Sequence, residues 1–111
     1  MDAQKVLEAL DVYATKLDGF IHDPIRNERC DTSKKYPVWG SSDNARAKLN
    51  HTRWAIDEAR RFVAEGRMEK AFRWLGFIQG VVWFQGLYAI DDLANHNKPV
   101  SEEMDPDHSL R

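Results

Sequence analysis

Residues 71–90, AFRWLGFIQGVVWFQGLYAI, have the length of a helix, and after Arg73 no charge appears before Asp91. A surface helix shows an apolar stripe a little over 100° wide opposite a charged side, and this segment has no such division. It is therefore expected to be covered on more than one side. A chain of 111 residues has little interior in which to hide a helix all round,. Part of the cover is expected from a second copy of the chain. Helical spacing places Ala71, Leu75, Ile78 and Val82 on one stripe and Trp74, Phe77, Val81, Phe84 and Tyr88 on another,. Gly76 and Gly80, four apart, share a face where another backbone could approach closely,. The expected oligomer interface is thus Trp74, Gly76, Phe77, Gly80, Val81, Phe84 and Tyr88. A membrane span fits poorly, because the uncharged run 74–90 is at the short limit for a hydrocarbon core of roughly 30 Å and contains Gln79, Gln85 and three glycines,.

The rest of the chain supplies neighbours for this segment. Val6, Leu10, Tyr13, Leu17 and Phe20 recur at helical steps and predict a first helix over about 3–22, capped by Asp2 and stopped at Asp23-Pro24,. Residues 23–42, with two prolines and a glycine and no periodicity, read as a long loop, a length that in compact domains usually serves contact or movement,. Ala45, Leu49, Thr52, Ile56, Ala59 and Val63 mark the seam of a second helix over about 43–64, capped by Ser42 or Asp43,. Gly66 suits a left-handed turn into the third helix, about 67–88,. A short fourth helix, about 89–96, buries Ile90 and Leu93 and stops at Pro99. The expected fold is all-α, a small helical bundle built on an antiparallel helical hairpin. It forms one domain over 1–99, followed by an acidic polar tail at 100–111.

At 42% hydrophobic and 31% charged residues, the composition is that of a globular domain,. A single cysteine, Cys30, forms no internal disulfide, and the N-terminus lacks the basic-then-apolar order of a leader, so a reduced, cytoplasmic protein is expected,. The net charge of −2 argues against general nucleic-acid binding, although residues 43–88 carry eight basic and five acidic side chains,.

Arg46, Arg53 and Arg60 repeat every seven residues along one flank of the second helix, and Lys70 and Arg73 continue the basic character into the third. Guanidinium forks in a row could dock a phosphate or an acidic protein face. The competing reading is a solvated flank whose stems cover the seam while Asp57 supplies ion pairs. In the loop, Lys35, Tyr36 and Trp39 combine charge and aromatic surface beside Pro37, a mixture that suits either an interface anchor or a small satellite core,.

Catalytic and cofactor signatures do not stand out. The four histidines are scattered, no paired Cys/His spacing exists, and no ExxE carboxylate pair of the kind that holds Mg²⁺ on a helix face occurs,. There is no glycine-rich phosphate loop. A non-enzymatic protein without metal or cofactor is expected, its function resting on binding.

The strings EKAFRWLGFIQG (Glu69 to Gly80) and NHNKP (Asn95 to Pro99), within a stretch from His51 covering about half the chain, resemble small proteins encoded by tailed bacteriophages and prophages. The resemblance implies a phage early or accessory protein acting in the bacterial cytoplasm, and it carries no residue roles. The leading expectation is an oligomeric phage protein that binds and inhibits a host factor, plausibly one of a defence system. The alternatives are a sponge holding a small nucleotide signal with Arg53, Arg60 and Lys70, and a structural or assembly component of the virion.

Overall fold

A computed structural model describes residues 1–98 as four helices: α1 (Ala3–Asp18), α2 (Ser42–Ala64), α3 (Met68–Phe84) and α4 (Ile90–Asn97). Among the described residues there is no strand, and the protein is all-α. The expected stop at Pro99 and the acidic tail lie outside the described residues.

Several of the helix ends have an identifiable cause. The Asp2 carboxylate accepts a hydrogen bond from the Lys5 amide at 2.9 Å, satisfying one of the orphan donors at the start of α1,. Gly19 closes α1, its amide donating to the carbonyls of Thr15 and Lys16. The helix therefore ends at Asp18, four residues before the expected boundary at 22, and Ile21 beyond it is exposed. At the start of α2 the cap position is Ser41 rather than Ser42 or Asp43, and its side chain makes no capping bond. Gly66 and Gly86 both have positive φ, 76° and 78°, and each follows a helix end. In each case the next amide reaches back five residues, Arg67 to the Phe62 carbonyl at 2.8 Å and Leu87 to that of Val82 at 2.9 Å,. Gly86 thus ends α3 near Phe84, short of the expected 88, and α4 is opened by the Asp92 carboxylate, which accepts from the Ala89 amide at 2.9 Å.

The core is a single cluster. Val6, Leu10, Tyr13 and Leu17 of α1 meet Ile56 and Ala59 of α2, Leu75, Ile78 and Val82 of α3, and Leu93 of α4. Burying each large aliphatic chain contributes about 1.5–3 kcal/mol, which explains why the stripes rather than the loops set the packing. The pairing of α2 with α3 is the most extensive. Its ring contacts run in opposite directions along the two helices, Phe62 against Trp74 at 5.2 Å and His51 against Phe77 at 6.3 Å.

Polar side chains also enter this interior: Thr52, fully buried, donates to the Lys48 carbonyl at 2.8 Å, and Gln79 links three helices. Gln79, nearly buried on α3, donates to the Tyr13 hydroxyl at 2.9 Å and exchanges hydrogen bonds with the Asn97 amide at 2.6 and 3.2 Å. The same hydroxyl bonds His96 Nδ1 at 2.8 Å. Helices α1, α3 and α4 are joined through these four side chains.

Candidate functional site

The arginine row on α2 is occupied within the fold. Arg53 bonds Asp18 at 2.9 Å and Asp57 at 3.1 Å, and Arg60 bonds Asp11 at 2.6 Å and Asp57 at 2.7 Å. Arg46 pairs with the Asp23 carboxylate and donates to the carbonyls of Pro24 at 2.6 Å and Asp23 at 2.9 Å. Asp11 and Asp18 are themselves seven apart on α1, so two heptad rows mesh and staple α1 to α2. The hydrogen bond with Asp18 leads the effects that raise the Arg53 pKa. Partial burial works to raise the Asp57 pKa, but the hydrogen bonds from Arg60 and Arg53 outweigh it and hold the carboxyl below its ordinary value. These forks have carboxylate partners already, which favours the solvated-flank reading over phosphate docking. Lys70 likewise sits over the Phe62 ring at 4.7 Å.

Arg53→Ala should cost about 0.5–1 kcal/mol in urea denaturation, with the difference shrinking in concentrated salt, as for other partly exposed pairs. The folded value of Asp57 is depressed, so its contribution is fully present above the unfolded value of 3.8 and is lost as pH falls below it,. Equal stability of the variant and the parent at low salt would show that these ion pairs contribute nothing.

The long loop is tied down along α2. The Arg26 amide donates to the Asn50 side chain at 2.7 Å and the Cys30 amide to His51 Nδ1 at 3.1 Å. Within it, the Tyr36 hydroxyl accepts from the Asp31 amide at 3.2 Å, while Lys35 is exposed and Trp39 is 89% exposed. Tyr36, half-buried, is thus held within the loop, and Trp39 stands outside the core.

The outer face of α3 carries several of the exposed large apolar side chains among the described residues. Phe72, Phe77, Trp83 and Phe84 are 40, 54, 48 and 61% exposed, and Gly76 and Gly80 lie among them. A Cβ built at either glycine meets nothing within 4 Å. Of the interface residues expected from sequence, Gly76, Phe77, Gly80 and Phe84 lie on this face, whereas Trp74, Val81 and Tyr88 are partly buried against the core. Phe72 and Trp83 belong to neither of the two stripes read from the sequence, and only the observed burial adds them. The signal available was their position flanking Gly76 and Gly80 on a helical wheel.

Two depressions adjoin at Phe77. One, about 390 Å³, is lined by Lys48, Phe77, Gly80, Val81, Phe84 and Gln85. The other, about 350 Å³, is lined by His51, Arg73, Trp74 and Phe77. Behind the second, Trp54 packs on Trp74 at 5.8 Å and on His51 at 5.1 Å. Burial, and then the charge of Arg29, lower the His51 pKa, and its Nδ1 accepts from Cys30, so the ring is neutral with its hydrogen on Nε2,. Arg73 meets Glu69 at 3.6 Å with its side chain two-thirds exposed.

Among the described residues no group of three or more His, Cys, Asp or Glu side chains could hold a metal ion, and no helix is long and apolar enough to cross a membrane. No protein-family model, curated protein or solved structure matches the chain.

Proposed function

We propose that this is a non-catalytic binding protein that self-associates through the outer face of α3 and presents its long loop to a host protein whose action it inhibits. The observation that carries this reading is the exposed α3 face, with four large apolar side chains around two bare glycines. Scattered exposed apolar residues are normal on a monomer, but a contiguous patch marks an interaction surface. A second copy suits this one. Gly76 and Gly80 leave room for the same helix to approach about a twofold axis, with Arg73 and its partner Glu69 the charges on this face of α3,. Trp39 and Lys35, left outside both core and patch, form the candidate host contact, since exposed tryptophans are frequent interface anchors,.

The phage setting rests on the resemblance of the EKAFRWLGFIQG and NHNKP strings, and inhibition of a defence factor is the role that fits a small accessory protein. The nucleotide sponge built on Arg53, Arg60 and Lys70 loses support, because those cations are engaged internally. Immobilised protein should capture a bacterial partner from host lysate, Trp39→Ala should lose it, and disruption of the gene should reduce infection. Empty pull-downs together with unchanged infection would sink the proposal, and abundance in purified particles would move it to the virion.

A further inference from the structure

The pocket between α2 and α3 has a chemistry unlike the rest of the α3 face. Its volume, about 350 Å³, falls at the lower end of the roughly 300–1,000 Å³ of small-molecule sites, which combine apolar walls with a few directed polar groups,. The walls here are aromatic and held from behind. Trp74 is braced by Phe62 at 5.2 Å and Trp54 at 5.8 Å, while His51 is braced by Trp54 and meets Phe77 edge-on at an interplanar angle of 87°. Such fixed rings favour a flat π-system laid against them, because little side-chain freedom remains to be lost on binding.

The polar groups of the lining are donors. Neutral His51, with Nδ1 occupied by the Cys30 amide, carries its hydrogen on Nε2, and Arg73 offers a guanidinium fork,. No carboxylate lines the pocket. In this Arg73 differs from Arg46, Arg53 and Arg60, whose forks are filled by close carboxylates, whereas its contact with Glu69 is long, at 3.6 Å. A ligand for this site must bring a planar ring and an anion.

We infer that the pocket lined by His51, Arg73, Trp74 and Phe77 binds a nucleoside monophosphate, its base against the Trp74 and Phe77 rings and its phosphate on Arg73. Bases stack on aromatic side chains whatever their identity, and a guanidinium pairs bidentately with a phosphate. The site lies away from the arginine row; it shares Phe77 with the proposed subunit contact, so binding is read on dilute, monomeric protein, where its failure and that of self-association are separable.

Trp74, one of four tryptophans, lines the pocket, and its share of the fluorescence change is read by comparison with Trp74→Phe. The full chain is titrated with the four common nucleoside 5′-monophosphates, the matching nucleosides and inorganic phosphate, with calorimetry as the second readout. At least one monophosphate should quench saturably and bind roughly tenfold or more tightly than its nucleoside, the worth of one charge-assisted hydrogen bond. Arg73→Ala should reduce the monophosphate to the level of the nucleoside, and Phe77→Ala should weaken both. Both side chains are exposed, so the helical circular dichroism of these variants should be unchanged. Arg61→Ala, whose guanidinium is paired with Glu58 and Glu65, should bind like the parent. The inference is overturned if no monophosphate binds, if the nucleosides bind equally tightly, or if binding survives both Arg73→Ala and Phe77→Ala.

Discussion

Replacing Tyr13 with alanine should lower the free energy of unfolding by about 4 kcal/mol, the range found for truncating a large buried aromatic side chain. Tyr13 is completely buried, its ring lies edge-on to Tyr88 at 5.6 Å and to His96 at 5.3 Å, and its hydroxyl bonds both Gln79 and His96. Truncation opens a cavity and deprives both polar partners, one of them nearly buried, of a hydrogen bond. Against a total stability of about 5–15 kcal/mol, that is a large share. Tyr13→Phe separates the two effects, because it keeps the ring and removes the hydroxyl, at a cost of about 1–2 kcal/mol.

The hydroxyl also gives the stability an alkaline limit. Burial pushes the Tyr13 pKa up to about 12, the Gln79 hydrogen bond working against it and the charges of Tyr88 and Asp92 with it. The folded value lies above the ordinary 10.0, so the neutral form stabilises the fold below pH 10 and that contribution is lost as pH rises toward 12,. Urea denaturation across this window should show a steeper loss for the parent than for Tyr13→Phe. Parallel curves, or a cost for Tyr13→Ala no greater than that of a surface substitution, would remove Tyr13 from the centre of the core.

What could be read from sequence follows from which forces are local. Leu10, Tyr13 and Leu17, or Leu49, Ile56 and Ala59, announce their helices because burial repeats at the helical period, and the all-α class follows from that repetition,. Gly66 announces its turn because only glycine adopts positive φ at little cost,. Periodicity fails where the backbone leaves the helix while the apolar pattern continues. Phe20 and Ile21 keep the phase of α1, yet the helix has already closed at Gly19.

The two readings of the arginine row cannot be separated within α2 alone. Its partners Asp18 and Asp11 lie 35 and 49 residues away, and a row read on one helix shows the charge without what meets it. The matching heptad of Asp11 and Asp18 was the available clue. Gln79 presented the same difficulty. In the sequence it counts against a membrane span, and only the packing of α1 and α4 over α3 shows that a glutamine there joins three helices. The pocket at His51 is not legible in sequence because its lining comes from two helices, His51 from α2 and Arg73, Trp74 and Phe77 from α3, which no single segment reveals.

Converting Gly76 and Gly80 together to alanine should move two measurements in opposite directions. Within one chain both positions are exposed mid-helix sites where a Cβ meets nothing within 4 Å, so each substitution should stabilise the monomer by about 0.8–1 kcal/mol through helix propensity alone,. Across a contact in which a second α3 lies on the glycine floor, the added methyl groups hold the backbones apart. Loss of that close packing, together with the Phe72, Phe77, Trp83 and Phe84 contacts it aligns, should weaken association by about 100-fold or more, equivalent to roughly 2.7 kcal/mol. Sedimentation equilibrium reads the second effect, and chemical denaturation under dilute, monomeric conditions reads the first. The combination is diagnostic because the same methyl groups favour one equilibrium and oppose the other. A parent chain that stays monomeric at high concentration, or a double variant that gains stability while associating as tightly as the parent, would rule out the glycine floor as the subunit contact.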